Sequence, residues 1–339
     1  MALIGKNKWF LIPLAAAISF SIGCTTSDDS SSEVVGNWVR VSDFEGVARN
    51  EAVVTTLGAK AYVGLGFNGT DRLSDFWEYD ASKDFWLRRA DFPGKARNGA
   101  VSFSIDNLVY VGLGYDGINK LNDFWAYNPT TNSWAQVADF GGSARYGAAA
   151  FSIGSNGYVV AGYDGNQLKD FWKYSPTTNT WEQLVSPGGS KRVDPVVFVI
   201  GKKAYLAAGT NNGQNIDDFW EYNSESDAWT QMRKISNYTD ETFDDDYSYL
   251  PRYRAVAFTI GGKGYITTGI TSGYNSTTWE YTPETDTWLQ KTDFEGSARE
   301  TAIGFNIGDR AFVGLGRSSS LRFDDVREFL PADDQVDND

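Results

Sequence analysis

Apolar positions along this chain come in short runs, not in helical stripes. From Ala100 to Val111 the sequence AVSFSIDNLVYV reads as two apolar-rich runs split by Asp106-Asn107, a turn signal. Gly112-Leu113-Gly114 ends the second run. Phe124-Trp125-Ala126-Tyr127 forms a third, and Asn128-Pro129-Thr130 turns the chain toward a fourth around Trp134. Four short strands in succession are expected. Trp125 and Tyr127 are two apart, so they share one side of their strand and are placed to pack on the next sheet.

The same pattern returns along the chain. Its leading arginines are Arg49, Arg97, Arg145, Arg192, Arg252 and Arg299, spaced by 48, 48, 47, 60 and 47 residues. Trp77 and Trp86, Trp125 and Trp134, Trp172 and Trp181, Trp220 and Trp229, and Trp279 and Trp288 are each nine apart. Trp38 follows Gly36-Asn37 as the second member of a pair that lacks its first. The last unit runs to Asp325-Val326-Arg327-Glu328-Phe329 and has no tryptophan after it. The strand carrying Trp38 is therefore predicted to complete that unit. Six such units make an all-β, six-bladed propeller over residues 36–331, with four-stranded antiparallel blades whose edges are hidden by radial closure.

The arginine start and the Tyr127-Asn128-Pro129-Thr130-Thr131-Asn132 turn resemble kelch repeats, and the resemblance covers about Gly36 to Pro331. Kelch units usually carry a double glycine after the second strand. Gly64-Leu65-Gly66, Gly112-Leu113-Gly114 and Ala161-Gly162 stand there instead, which marks a divergent branch. Propellers of this kind are often grouped with galactose oxidase, whose copper site needs histidine ligands and a cysteine-linked tyrosine. This chain has no histidine and a single cysteine, so that activity is excluded, as are an imidazole base and a Ser-His-Asp triad. No cofactor and no metal are expected.

If the first strand of each blade is innermost, the loops entering it and those joining the second and third strands share one face. That face would collect the six arginines near the channel mouth as ligand candidates, with Asn68, Tyr115, Asp116, Tyr163, Asp164 and Asn211 around them. Phe67 and Tyr274 would offer further rings to a sugar. The plainer reading pairs each arginine with a neighbouring blade or with backbone carbonyls. Asp75, Asp123, Asp170 and Asp218 precede Phe-Trp and are read as caps of a turn. The 60-residue spacing marks an insertion between Met232 and Arg252. Its rings Tyr238, Phe243, Tyr247, Tyr249 and Tyr253 suit contact with a partner. Glu241, Asp244, Asp245 and Asp246 could gather a calcium ion, although no EF-hand spacing supports this and a solvated acidic loop is the plainer account.

Composition narrows the function. Aromatics at 15% of residues fit a folded, strand-rich chain, and a net charge of -14 opposes binding to nucleic acid. The N-terminus runs from Lys6 and Lys8 through the apolar stretch Trp9 to Ile22, as a secretory signal does. Ser21-Ile22-Gly23-Cys24 resembles a bacterial lipobox, which implies cleavage after residue 23 and lipid on Cys24, with 24–35 as a flexible tether and 332–339 as an acidic tail. The expectation is a monomeric lipoprotein of the bacterial outer membrane, on its surface or its periplasmic side, that presents a loop face to a glycan or an envelope protein without catalysis. The alternative, by fold analogy, is a carbohydrate-active enzyme like the kelch-type sialic acid mutarotase or epimerase. Such an enzyme should show a carboxylate of raised pKa within reach of a channel arginine, whereas a binding platform should show exposed rings and salt-bridged arginines.

Overall fold

A computed structural model describes residues 34–337, together with Met1, Ala2 and Gly5. Cys24, the signal segment 1–23 and residues 24–33 of the tether lie outside the described residues, apart from those three. Among the described residues the chain forms six four-stranded antiparallel sheets and two two-residue ribbons. The second blade shows how the sequence does it. Its strands are Val101–Ile105, Leu108–Gly112, Phe124–Asn128 and Ser133–Val137, and Asp106 takes a φ of 53° in the tight turn between the first two. In this blade the first strand alternates buried and half-buried positions, whereas the second is buried almost throughout because sheets cover both of its faces. The first strand of each blade packs on the first strand of the next, and the sixth returns to the first. Trp125 and Tyr127 pack against the preceding blade, not the next one: Tyr127 lies 5.1 Å from Phe76 and Trp125 lies 6.0 Å from Phe92.

The ring closes where the tryptophan spacing placed it. Asn37–Arg40 pairs antiparallel with Val326–Leu330 and sets Trp38 opposite Phe329, ring centroids 4.6 Å apart. Trp38 is fully buried, and its Nε1 donates to the Thr292 carbonyl at 3.2 Å, as Trp86 Nε1 does to Ser42 at 3.2 Å and Trp134 Nε1 to Ala90 at 2.9 Å. The closing strand also fixes where the chain enters. It begins at Asn37 beside Leu330 and ends at Arg40 beside Arg327. Val41 and Phe44 then donate to Val326 and Asp324, in the loop region between second and third strands. Entry is thus on the face opposite those loops, one strand length away.

Each blade is also tied to the next by main chain. Gly66, Gly114, Gly162, Gly209, Gly269 and Gly316 donate to the carbonyls of Arg97, Arg145, Arg192, Arg252, Arg299 and Arg49 at 2.8–3.0 Å. All six have φ between 89° and 103°. A Cβ on Gly66 would lie 2.8 Å from the Asn50 carbonyl, and its positive φ adds to the demand for glycine there.

Candidate functional site

The six repeat arginines do not line the mouth. Arg49, Arg97, Arg145, Arg192, Arg252 and Arg299 are at most 1% exposed. Arg97 shows the arrangement: Nε donates to Lys95 O (2.8 Å), Nη1 to Leu113 O (3.0 Å) and Asp123 Oδ1 (2.6 Å), and Nη2 to Asp123 Oδ2 (2.8 Å). Arg49, Arg145 and Arg299 repeat this with Asp75, Asp170 and Asp325, and Arg192 bridges to Asp218. The aspartates therefore do not cap turns as expected. Each takes a guanidinium from its own blade, and Asp75, Asp123, Asp170 and Asp218 also take the indole N–H of the tryptophan two residues on, as in Trp125 Nε1 to Asp123 Oδ2 at 2.8 Å. Burial raises the Asp123 carboxyl, but Arg97 outweighs it and holds the group below its ordinary value.

What lines the mouth is the residue two positions after each arginine. Glu51, Gly99, Gly147, Asp194, Arg254 and Thr301 all have φ between 51° and 61°, and their main chains form a closed ring. Gly99 donates to Glu51, Gly147 to Gly99, Asp194 to Gly147, Arg254 to Asp194, Thr301 to Arg254 and Glu51 to Thr301, at 2.8–3.2 Å. They rim a cavity of about 160 Å³, room for several waters or one small polar ligand. Below them five alanines and Pro195 make an apolar neck: Ala52, Ala100, Ala148, Ala255 and Ala302. Thr56, Ser104, Ser152 and Thr259 belong to the other end of the first strands, and a cavity there is lined by these hydroxyls among apolar residues and carries no charge.

Two side-chain networks hold the mouth. On blades four to six, Arg254 donates Nε to Asp194 Oδ2 (3.0 Å) and Nη1 to Glu300 Oε2 (2.9 Å), and Arg317 donates to Glu300 Oε1 (2.7 Å). Asp194 lies over Gly147, where a Cβ would come within 2.4 Å of its Oδ1. Burial pushes the Asp194 carboxyl up to about 6 against the opposing pull of Arg254, with Glu51 and Glu300 adding to the rise. Burial works against the charge on Arg254, but Asp194 and Glu300 more than offset it and keep the guanidinium above its ordinary value. On blades six, one and two, Glu51 accepts from Asn50 Nδ2 (3.3 Å) and from Asn98 Nδ2. Asn50 Oδ1 in turn accepts from Arg322 Nε (3.2 Å), and Asn98 Oδ1 from Arg72 Nε (2.6 Å).

The remaining predicted residues sit around this mouth in other roles. Tyr115 donates its hydroxyl to Gly117 O at 2.7 Å and packs on Tyr146 at 5.8 Å, and Tyr163 packs on the other side of Tyr146 at 5.5 Å. Asp116 Oδ1 accepts from Ile118 N (2.8 Å) and Asn119 N (2.6 Å), and Oδ2 binds Lys95 (3.0 Å), so it shapes its loop. Those backbone N–H groups, with Lys95, hold it well below the carboxylate range. Asp164 does the same through Asn166 N (3.0 Å) and Ser143 Oγ (2.8 Å), and Asn68 through Thr70 N (2.8 Å) and Asp71 N (2.7 Å). Asn211 pairs with Gln214 in a ribbon, and the Tyr274 hydroxyl accepts from Ser319 N at 2.8 Å.

The insertion corrects two expectations. Tyr247 is 1% exposed and so is not free for a partner, Phe243 is half-buried, and Tyr238 and Tyr249 are 45% and 57% exposed. The Tyr247 hydroxyl donates to Trp288 O (3.2 Å) and accepts from Trp288 N (2.5 Å), sealing the outer strand of blade five. Asp244 is buried, not solvated. It accepts from Tyr238 N (3.0 Å), Thr239 N (3.0 Å) and Thr239 Oγ1 (2.8 Å). Among the described residues no cluster of three or more carboxylates or thiols converges as a metal site.

Asp194, Arg254 and Glu51 are not marked by anything the repeats share. The signal lay in what differs: at one repeat position two units carry glycine and one threonine, while three carry charge.

These features define a six-bladed β-propeller of four-stranded antiparallel blades. The kelch motif matches residues 96–141, 144–188 and 191–235, the second to fourth blades. No curated protein matches the chain significantly. Among solved structures, that of the protein YjhT is similar over 84% of this chain and 96% of its own, with a TM-score of 0.71 and 16% identity, a likeness of fold. No helix among the described residues is long and apolar enough to cross a membrane.

Proposed function

We propose that this chain is a ligand-binding module of the bacterial cell envelope, anchored by lipid on Cys24, and that its axial mouth takes a saccharide. The supporting observation is the mouth itself. A rigid ring of six main-chain bonds carries Glu51, Asp194 and Arg254 above an alanine neck, with donors and acceptors facing one cavity that is polar at the rim and apolar at the floor. The closing strand begins on the face opposite the mouth. Glycan-array binding of the purified protein tests this, with Arg254→Gln as the comparison. Signal from the parent that the variant loses is expected. Absence of any glycan signal from the parent would move the reading to a protein partner.

One observation favours a second reading, catalysis on a carbohydrate in the manner of a mutarotase or epimerase. Asp194, with its carboxyl raised to about 6 beside Arg254, can exchange a proton near neutral pH. Anomer exchange followed by NMR separates the readings: a binding module leaves the exchange rate unchanged, and an enzyme speeds it in an Asp194-dependent way.

A further inference from the structure

Three consecutive blades place a cation at the same position of the loop between second and third strands. Arg322 of blade six, Arg72 of blade one and Lys120 of blade two each reach across a blade boundary onto a ring of the following blade. Arg322 Cζ lies 5.4 Å from the Phe67 centroid, Arg72 Cζ 4.9 Å from Tyr115 and Lys120 Nζ 5.6 Å from Tyr163. Arg72 also lies over Phe67 at 5.3 Å. None of the three has a carboxylate partner among the described residues, although most basic side chains near them do.

The two arginines are fixed in place without being neutralised. Each spends its Nε on an asparagine oxygen, Arg72 on Asn98 (2.6 Å) and Arg322 on Asn50 (3.2 Å), and both asparagines turn their amide donors to Glu51. Arg72 Nε also reaches Tyr115 O (3.1 Å), and Arg322 Nη1 donates to Ser320 O (2.8 Å). The Nη groups of Arg72 and Nη2 of Arg322 have no acceptor in the described residues. Glycines keep the path open: a Cβ on Gly117 would lie 2.6 Å from Arg72 Nη1, and one on Gly69 would lie 2.9 Å from Arg322 Cζ. All three cations are half-buried. In a chain of net charge -14, an arc of three unpaired cations beside the mouth is a local reversal of sign.

We infer that this arc receives an oxyanion of the ligand, so that the saccharide bound at the mouth is an acidic one. Planar guanidiniums suit carboxylate or sulfate, Arg72 offering both Nη groups and Arg322 its Nη2, and the Asn50–Glu51–Asn98 relay holds them ready. This inference rests on the mouth being a saccharide site. Its test titrates the purified protein with trigalacturonate, with the neutral methyl ester of the same trisaccharide, and with inorganic sulfate. The acid should bind at least tenfold more tightly than the ester, weaken as sodium chloride rises, and lose about fivefold in either Arg72→Gln or Arg322→Gln. The salt response of the parent protein needs no variant and so does not depend on one folding. Equal binding of acid and ester, or acid binding indifferent to salt and to both substitutions, overturns the arc and leaves the saccharide site standing. Sulfate binding that the variants lose, with neither trisaccharide bound, supports the arc and instead refutes the saccharide reading. No binding of acid or sulfate overturns the arc.

Discussion

Arg252 meets Thr277 at the place where the other five repeat arginines meet an aspartate. Its Nη2 donates to Thr277 Oγ1 at 2.7 Å and its Nη1 to Thr277 O at 3.0 Å, its Nε keeps the bond to the carbonyl two residues back, here Leu250, and the insertion adds the carbonyl of Tyr249. With no carboxylate bridged to it, burial pulls this guanidinium down to about 9 against the opposing pull of Asp293. The position is therefore the weak clamp of the ring.

Thr277→Asp should restore the missing bridge and raise stability by roughly 1–2 kcal/mol, the scale of a charge-assisted bond less the cost of burying the new charge. Thermal or urea unfolding reads it. Asp123→Ala, which strands Arg97 in the core, should cost about 3–5 kcal/mol.

Closure through Trp38 makes a second prediction. Trp38 packs on Phe258, Phe294 and Phe329 at 4.6–6.3 Å, so Trp38→Ala should cost about 3–5 kcal/mol. Hydrogen exchange should rise first in Val326–Leu330, the strand left without its neighbour.

Tyr247→Phe removes both bonds to the Trp288 backbone and should cost about 1–2 kcal/mol. Exchange of the Trp288 amide should accelerate well beyond that of neighbouring amides. An unchanged rate would mean that the insertion does not seal that edge.

The pH dependence follows from Asp194. Its carboxyl is raised from 3.8 to about 6 in the folded chain, so the folded state holds the proton more tightly than the unfolded one. The resulting stability is full below about pH 4 and lost as pH rises through about 6, on the order of 2–3 kcal/mol. Urea unfolding of the parent and of Asp194→Asn should show the parent losing ground to the variant between pH 4 and about 6.5, and little further change above.

The blade plan was legible because Trp38 breaks the tryptophan pairing in a way that only a shared last blade explains. The buried clamp was legible in part. A residue present in every unit is one that packing requires, but nothing in the sequence says that Arg97 meets Asp123, which stands 26 positions on. The mouth was hidden for the opposite reason. Asp194, Arg254 and Glu51 occupy one repeat position yet share no chemistry, and only the ring brings them together. Tyr247 lies in a segment with no counterpart in other units, where aromatic content alone cannot separate a core ring from an exposed one.

The most direct test is an amide NMR titration of the protein with the oligosaccharide selected on the array. The account predicts that the largest shifts fall on Glu51, Gly99, Gly147, Asp194, Arg254 and Thr301, the six residues of the mouth ring. Shifts confined to 236–250, or spread over the outer strands with the ring unmoved, would contradict it.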